Sequence, residues 1–312
     1  MPIPAFSCQA LNPPESRNMK GLEALRDEVL ACAADDLTAT TIPRVDLYRV
    51  SQPMALPPEI YPPFVSLILQ GEKRLQVGAQ SIRYSAGEMF TASFDLPATG
   101  DITEASEASP YLAVRLTLDF AAISDLLHQM PVTALPATNK GISVNRVDDA
   151  LADVWLRMMR LLTKPEEIAV MAPLVEREML YRLLQDTQGG VLRQAAELNG
   201  HFAKIRKALV WLRAHYATAF RIETLAAMAG MSLSAFHRGF RASTGLSPLQ
   251  YQKHLRLYEA RKALVLRPGN VAAVAADVGY ESLTQFTREY ARLFGEPPAR
   301  SIRKLRLTGT ET

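Results

Sequence analysis

The rhythm of apolar and polar positions changes three times along the chain. Residues 20–33, KGLEALRDEVLACA, repeat apolar groups at i, i+3, i+4, the spacing of a helix that buries one face. Between about Arg44 and Asp119 the period shortens. Runs such as VDLYRV, FVSLILQ, KRLQVG, QSIRY, EMFTAS and YLAVRLTL are separated by Gly, Pro, Asp and Ser, which predicts closely spaced strands forming a small sandwich or barrel. From Phe120 the helical period returns in RVDDALADVWLRMMRLL and PLVEREMLYRLLQD, and the Gly189-Gly190 pair interrupts it. From about Leu198 onward the pattern predicts helices punctuated by Gly and Pro, so Gly189–Gly200 is the expected boundary region. Residues 1–18, rich in Pro, read as a loose tail.

The last third contains a repeat. AGMSLSAFHRGFRASTGLSP, from Ala229 to Pro248, is paraphrased 50 residues later by GYESLTQFTREYARLFGEPP, residues 279–298. Ser232 aligns with Ser282, Phe236 with Phe286, Arg238 with Arg288, Phe240 with Tyr290, Gly245 with Gly295 and Pro248 with Pro298. Each copy reads as a short helix, a turn with Gly, a Ser cap and a second helix, the helix-turn-helix layout. The turn glycine lies one place earlier in the second copy, at Gly279.

At 100° per residue Phe236 and Phe240 fall on one side of the first copy's second helix, and Ser234, His237, Arg238 and Arg241 on the opposite side. In the second copy the matching polar face is Thr284, Thr287, Arg288 and Ala291. A helix fits the DNA major groove, where Arg grips guanine bidentately. Two such helices in one chain can enter successive grooves ~34 Å apart. The segment SPLQYQKHLRLYEARKALVLRPG between them predicts a long connecting helix, with Lys253, Arg256, Arg261 and Lys262 as candidates for phosphates.

Charge supports this division. The net charge is only +3, but residues 201–312 hold 18 Lys and Arg against 7 Asp and Glu, whereas residues 1–200 hold 17 against 25. A basic half joined to an acidic half fits a nucleic-acid partner for the former. Apolar residues are 48% and charged residues 21%, a globular composition with room for two domains at 312 residues. No run of 18 apolar residues predicts a membrane span, and the first residues lack a basic start followed by an apolar run. Cys8 and Cys32 are the only cysteines, a usage expected of a reducing, cytoplasmic location.

At this point the chain resembles a known group. Residues LAAMAGMSLSAFHRGFRASTGLSPLQYQKHLRLYEARKAL and VAADVGYESLTQFTREYARLFGEPPARSIR look like the DNA-binding domain of AraC/XylS-family transcriptional regulators. The resemblance implies seven helices, two helix-turn-helix units and a linking helix, with base contacts from positions that here are Ser234, His237, Arg238, Thr284 and Arg288. Leu283 departs from the pattern, since it offers only an apolar contact. The stretch from Tyr61 to Asp119, through its QGEK and AGE turns, FDLPATG and PYLA, resembles the cupin-like N-terminal domain of one branch of these regulators. There the barrel implies a small-molecule sensor, and the helices after it dimerisation.

Cupin enzymes usually hold a metal with histidines and a carboxylate. All five histidines lie at or beyond His128, so a His-based metal site in the barrel is excluded and no cofactor is expected. Candidate ligand contacts in the barrel are Gln70, Lys73, Tyr84 and Arg115, polar groups at strand positions or ends. The expected fold is an α+β multidomain chain: a tail and helix at 1–40, a cupin-like barrel at 41–125, a helical dimerisation region at 126–195 and an all-α DNA-binding domain with two helix-turn-helix units at 196–312. The expected function is sequence-specific regulation of transcription, not catalysis. The expected partners are double-stranded promoter DNA, a small-molecule effector, RNA polymerase and a second copy of the chain, and no membrane. The stripe Val147, Leu151, Val154, Met158, Leu161 and Leu162 is the expected dimer face. The rival reading is a metal-independent cupin enzyme or sugar-binding module carrying a degenerate DNA-binding tail.

Overall fold

The computed structural model describes residues 14–34, 36–78, 80–130, 141–185, 190–196, 201–267, 270–301 and 303. Helix α1 (Pro14–Cys32) precedes ten strands: β1 (Thr38–Ala39), β2 (Val45–Val50), β3 (Met54–Ala55), β4 (Glu59–Tyr61), β5 (Phe64–Gln70), β6 (Glu72–Val77), β7 (Gln80–Ser85), β8 (Glu88–Ala92), β9 (Leu96–Glu104) and β10 (Tyr111–Thr117). Then come α2 (Phe120–Gln129), β11 (Ile142–Arg146), α3 (Asp149–Arg160), α4 (Pro165–Gln185) and α5 (Gly190–Ala196). The basic half contains α6 (His201–Ala214), α7 (Ile222–Met228), α8 (Leu233–Thr244), α9 (Pro248–Leu266), α10 (Val271–Asp277) and α11 (Leu283–Phe294).

The strands form two sheets, ordered β1-β2-β10-β5-β8-β11 and β3-β9-β6-β7, with β4 beside β9. Side-chain alternation assigns their faces. In β5 and β10, Val65, Leu67, Val114 and Leu116 pack outward against Leu25 and Val29 of α1 and Trp155 and Met158 of α3. Their alternate neighbours Phe64, Ile68, Tyr111 and Ala113 turn inward to meet Leu75, Val77 and Tyr84 of the second sheet. That inner core does not stop at the sheets. It continues into Phe202 and Leu212 of α6, Phe236 and Phe240 of α8 and Tyr251, Leu255 and Tyr258 of α9. A third core, with Leu257, Leu264, Val274, Phe286 and Tyr290, serves the second helix-turn-helix unit.

The barrel with its helices and the paired helix-turn-helix units match the fold expected from the sequence, with four differences. First, α1 begins at Pro14, inside the segment read as a tail; residues 1–13, including Cys8, lie outside the described residues. Second, β9 is the longest strand at nine residues, although Pro97 and Gly100 broke its alternation. Third, β11 interrupts the region read as helical and pairs with β8. Fourth, the stripe expected to join two subunits is internal: Val147, Leu151, Val154, Met158 and Leu161 are buried in this chain's own core, and Leu162 packs against it. The outer face of the six-stranded sheet needs a cover, and α3 supplies it. Of the expected boundary region, residues 189 and 197–200 lie outside the described residues.

Candidate nucleic-acid interface and barrel site

Helix α8 starts at Ser232, whose side chain accepts from the Ala235 amide, and stops at Gly245 in the left-handed conformation (φ 73°). Helix α11 repeats this with Ser282 accepting from the Gln285 amide and Gly295 at φ 78°. Both caps satisfy helix-end groups that would otherwise lack partners. The register shift of the turn glycine is absorbed in the turn. One residue, Met231, separates Gly230 from Ser232, whereas Tyr280 and Glu281 separate Gly279 from Ser282. Gly279 has φ 87°, and a Cβ there would collide with the Ala217 carbonyl, so no other residue fits.

The inward faces are aromatic. Phe236 packs on Phe240 with ring centroids 5.6 Å apart, and Phe286 on Tyr290 at the same distance. The outward faces are open. Ser234, Arg238, Arg241, Thr284 and Arg288 are exposed, and His237 and Thr287 are half-buried. Among the described residues, Arg238, Arg241 and Arg288 have no ion-pair partner, in a structure where most other guanidiniums do. Sequence reasoning singled out Leu283 but overlooked its match in the first copy: Leu233 and Leu283 open the two helices and stay 42% and 47% exposed. The 50-residue offset already aligned them, and exposed leucines at both positions suit thymine methyl groups.

Helix α9 joins the units and begins with a capping box between Ser247 and Gln250. Three of its cations expected to face phosphates are committed elsewhere. Arg256 donates to the carbonyls of Tyr216 (2.7 Å), Gly279 (2.9 Å) and Ala217 (3.2 Å). It thereby clamps the loop after α6 to the second turn. Lys253 pairs with Glu289 at 2.8 Å, and the Arg261 guanidinium lies 4.9 Å from the Phe294 ring centroid. Lys262 reaches Glu259 only at 3.5 Å and is exposed.

In the barrel, three of the four candidate residues converge. Arg115 projects inward from β10, donates to Asp46 Oδ2 at 2.7 and 3.2 Å and lies 5.2 Å from the Tyr48 ring. Lys73, opposite Tyr84 in the β6–β7 ladder, sits over the same Tyr48 ring (5.9 Å) and over Tyr61 (5.4 Å). Burial, with Arg115 nearby, lowers the Lys73 ammonium to about 8. The Tyr84 hydroxyl is fully buried without a hydrogen-bond partner, and burial raises it far above the usual phenol range. Gln70 is not part of this group, because its amide bonds the Pro110 carbonyl at 2.7 Å and pins the β9–β10 loop. The site abuts the DNA-binding half. Tyr251 and Tyr258 of α9 donate to the carbonyls of Asp95 (2.6 Å) and Ala98 (3.4 Å), and Arg213 of α6 bridges Asp95 and Glu259.

Comparison with known proteins agrees with this architecture. A family model described as the N-terminus of AraC-type transcriptional regulators matches residues 41–191, and a helix-turn-helix domain model matches 225–304. The HTH-type transcriptional activator RhaS of Escherichia fergusonii is 29% identical over 152 residues, covering 47% of this chain and 54% of that one. RhaS of Salmonella paratyphi B is 33% identical over 135 residues, covering 43% and 48%. The chain thus spans about half the length of the curated relatives it matches. A crystal structure of ToxT from Vibrio cholerae superposes with a TM-score of 0.55 at 10% identity over 83% of this chain and 96% of that one, which shows a shared fold. The two matched models, in this order and on this fold, place the chain in the AraC family of transcriptional regulators.

Proposed function

We propose that this chain is a cytoplasmic, sequence-specific DNA-binding regulator of transcription that reads a promoter with α8 and α11 and answers to a small molecule held between the two sheets. The observation that carries it is the pair of capped helices, in register across a 50-residue repeat, whose arginines are exposed and unpaired. Ser234, His237, Arg238 and Arg241 read the first groove; Thr284, Thr287 and Arg288 read the second. Residues 41–125 form the effector unit, 126–195 the connection and 196–312 the DNA-binding unit, which acts on RNA polymerase once placed on the promoter. A ToxT structure with an unsaturated fatty acid bound superposes at a TM-score of 0.51 and 10% identity, which supports a ligand role for a barrel of this shape.

The second copy of the chain docks on α4. Val170, Leu174 and Tyr181 fall within one narrow stripe of that helix, and Val170 and Leu174 are 67% and 58% exposed. The helix opens with Glu166 and Glu167 and closes with Arg182, so two copies packed antiparallel bring unlike charges together.

The test is retention of duplexes tiled upstream of this gene and its neighbours, with scrambled duplexes as competitors. One tile is retained preferentially. With six to ten phosphates contacted, its affinity falls ~10³–10⁵-fold between 50 and 200 mM salt. Equal retention of every duplex would replace regulation with non-specific DNA packaging.

A further inference from the structure

The strand alternation that places Ser66, Lys73, Tyr84 and Arg115 between the sheets also separates their roles. Arg115 has its counter-ion in Asp46, with a salt bridge of 2.7 Å. Lys73 has none: no carboxylate of a described residue lies within 4 Å of its ammonium, and it forms no hydrogen bond with them. It is only 8% exposed. A buried charge without a partner is costly, and two tyrosine faces offset only part of that cost. Across the β6–β7 ladder, the Tyr84 hydroxyl is buried beside Ser66 on β5, close enough to interact with it, yet the two do not meet in hydrogen-bond geometry. A cation without a counter-ion and a hydroxyl without a hydrogen bond thus stand opposite one another on the inner face of the barrel.

We infer that this pair takes the carboxylate of a small aromatic or aliphatic acid, its charge met by Lys73 and its second oxygen by the Tyr84 hydroxyl. The inference rests on reading the barrel as the effector domain and names the effector's class. One ammonium and one phenol suit a monoanion, whereas a phosphate would leave most of its oxygens without donors. The walls suit an apolar body, since Tyr61, Phe64, Phe90 and Tyr84 stack in sequence with centroids 5.3 to 5.6 Å apart. Strand β9 carries the consequence outward. Gly100 lies against Lys73, at 3.2 Å from where its Cβ would stand, and the same strand offers Ala98 to Tyr258 of the connecting helix. An acid that draws Lys73 away from Tyr61 therefore alters the seat of α9.

The groups facing Lys73 are Arg115 on β10, Glu59 and Tyr61 on β4, Tyr48 on β2 and Tyr84 on β7. Arg115 stays charged, and burial holds Tyr48, Tyr61 and Tyr84 neutral well past pH 10. Between pH 7 and 10 Lys73 alone changes charge, and acid binding weakens as pH rises through about 8.

The test is calorimetric titration of the full chain with cinnamate and octanoate beside cinnamamide and octanamide. At least one acid binds at millimolar concentration or below, and its amide binds ~10-fold or more weakly. Lys73→Met weakens the acid ~10–100-fold, the loss expected for a charged hydrogen bond, and Tyr84→Phe does so by ~10-fold. Unliganded Lys73→Met melts no lower than the parent, because its removal orphans no carboxylate, which separates a lost site from a lost fold. Failure of both acids to bind, equal binding of acid and amide, or unchanged acid binding by Lys73→Met overturns the assignment. Duplex retention by the unliganded chain is measured separately, so failure of the regulatory reading has its own signature.

Discussion

His254 lies on the face of α9 that also carries Tyr251 and Tyr258. Its Nδ1 is buried without a partner, and its ring meets the Tyr258 edge at 6.2 Å. Burial, with Lys253 beside it, lowers the imidazole to about 4 from an ordinary 6.5. The unfolded chain therefore takes up a proton first, and stability falls as pH drops from 6.5 to 4. Every tenfold difference in proton affinity between the folded and unfolded chain is worth ~1.4 kcal/mol at full effect, so the loss is on the order of 2–3 kcal/mol. Urea melts at pH 7 and 5 should show it, and His254→Gln should flatten that difference. On the recognition helices, Arg238→Ala should cost ~1–3 kcal/mol of discrimination at one base pair. Arg288→Ala should cost less, because α11 carries one arginine on its face where α8 carries two. Titrations on matched and single-substituted duplexes would rank them. The polar faces were legible because a 3.6-residue period fixes which side chains share a side. The fate of Arg256 was not: its three acceptors are backbone carbonyls of residues 23 to 40 positions away, and no periodicity reports those.

At the scale of elements, alternation identified β2, β5, β6, β7, β8 and β10, short runs with apolar residues at alternate or successive positions bounded by turn formers. It lost β9, where Pro97 and Gly100 sit inside a strand whose inner face nevertheless includes Leu96, Ala98 and Ile102. It lost β11 because five residues between helices are too few for a period. The stripe on α3 shows a different limit. Periodicity states that a helix buries one face and is silent on what covers it. The two alternatives separate by mutation. Leu174→Asp on α4 should give a monomer in sedimentation with an unchanged melting temperature. Leu151→Asp on α3 places a charge in the chain's own core and should destabilise by ~3 kcal/mol or more. A parent chain that sediments as a monomer at tens of micromolar, with and without DNA, removes the assignment of α4.

At the scale of the molecule, the inner core of the barrel and that of the first helix-turn-helix unit are one body of apolar contact. Composition located the two halves through their charge, but nothing in the sequence shows that Tyr251, Leu255 and Tyr258 belong to both. Calorimetry of the whole chain should therefore show the barrel and the first unit melting together. A fragment of residues 201–312 should melt lower and associate, because it uncovers those side chains. Tyr251→Phe leaves the Asp95 carbonyl without its donor and should cost ~1 kcal/mol. Two separate transitions in the whole chain would show that the shared core contributes little.

The two turns are unequal, with Met231 alone in the first and Tyr280 and Glu281 in the second, although the helices beyond them share one cap-to-cap layout. The two units also follow one another in the same sense along the chain and carry unlike faces. Unlike faces read unlike base sequences, so a site read by one subunit has a head and a tail. A promoter offered in reverse is a different text to this protein, and the orientation in which the chain lies on DNA fixes which flank its barrel occupies.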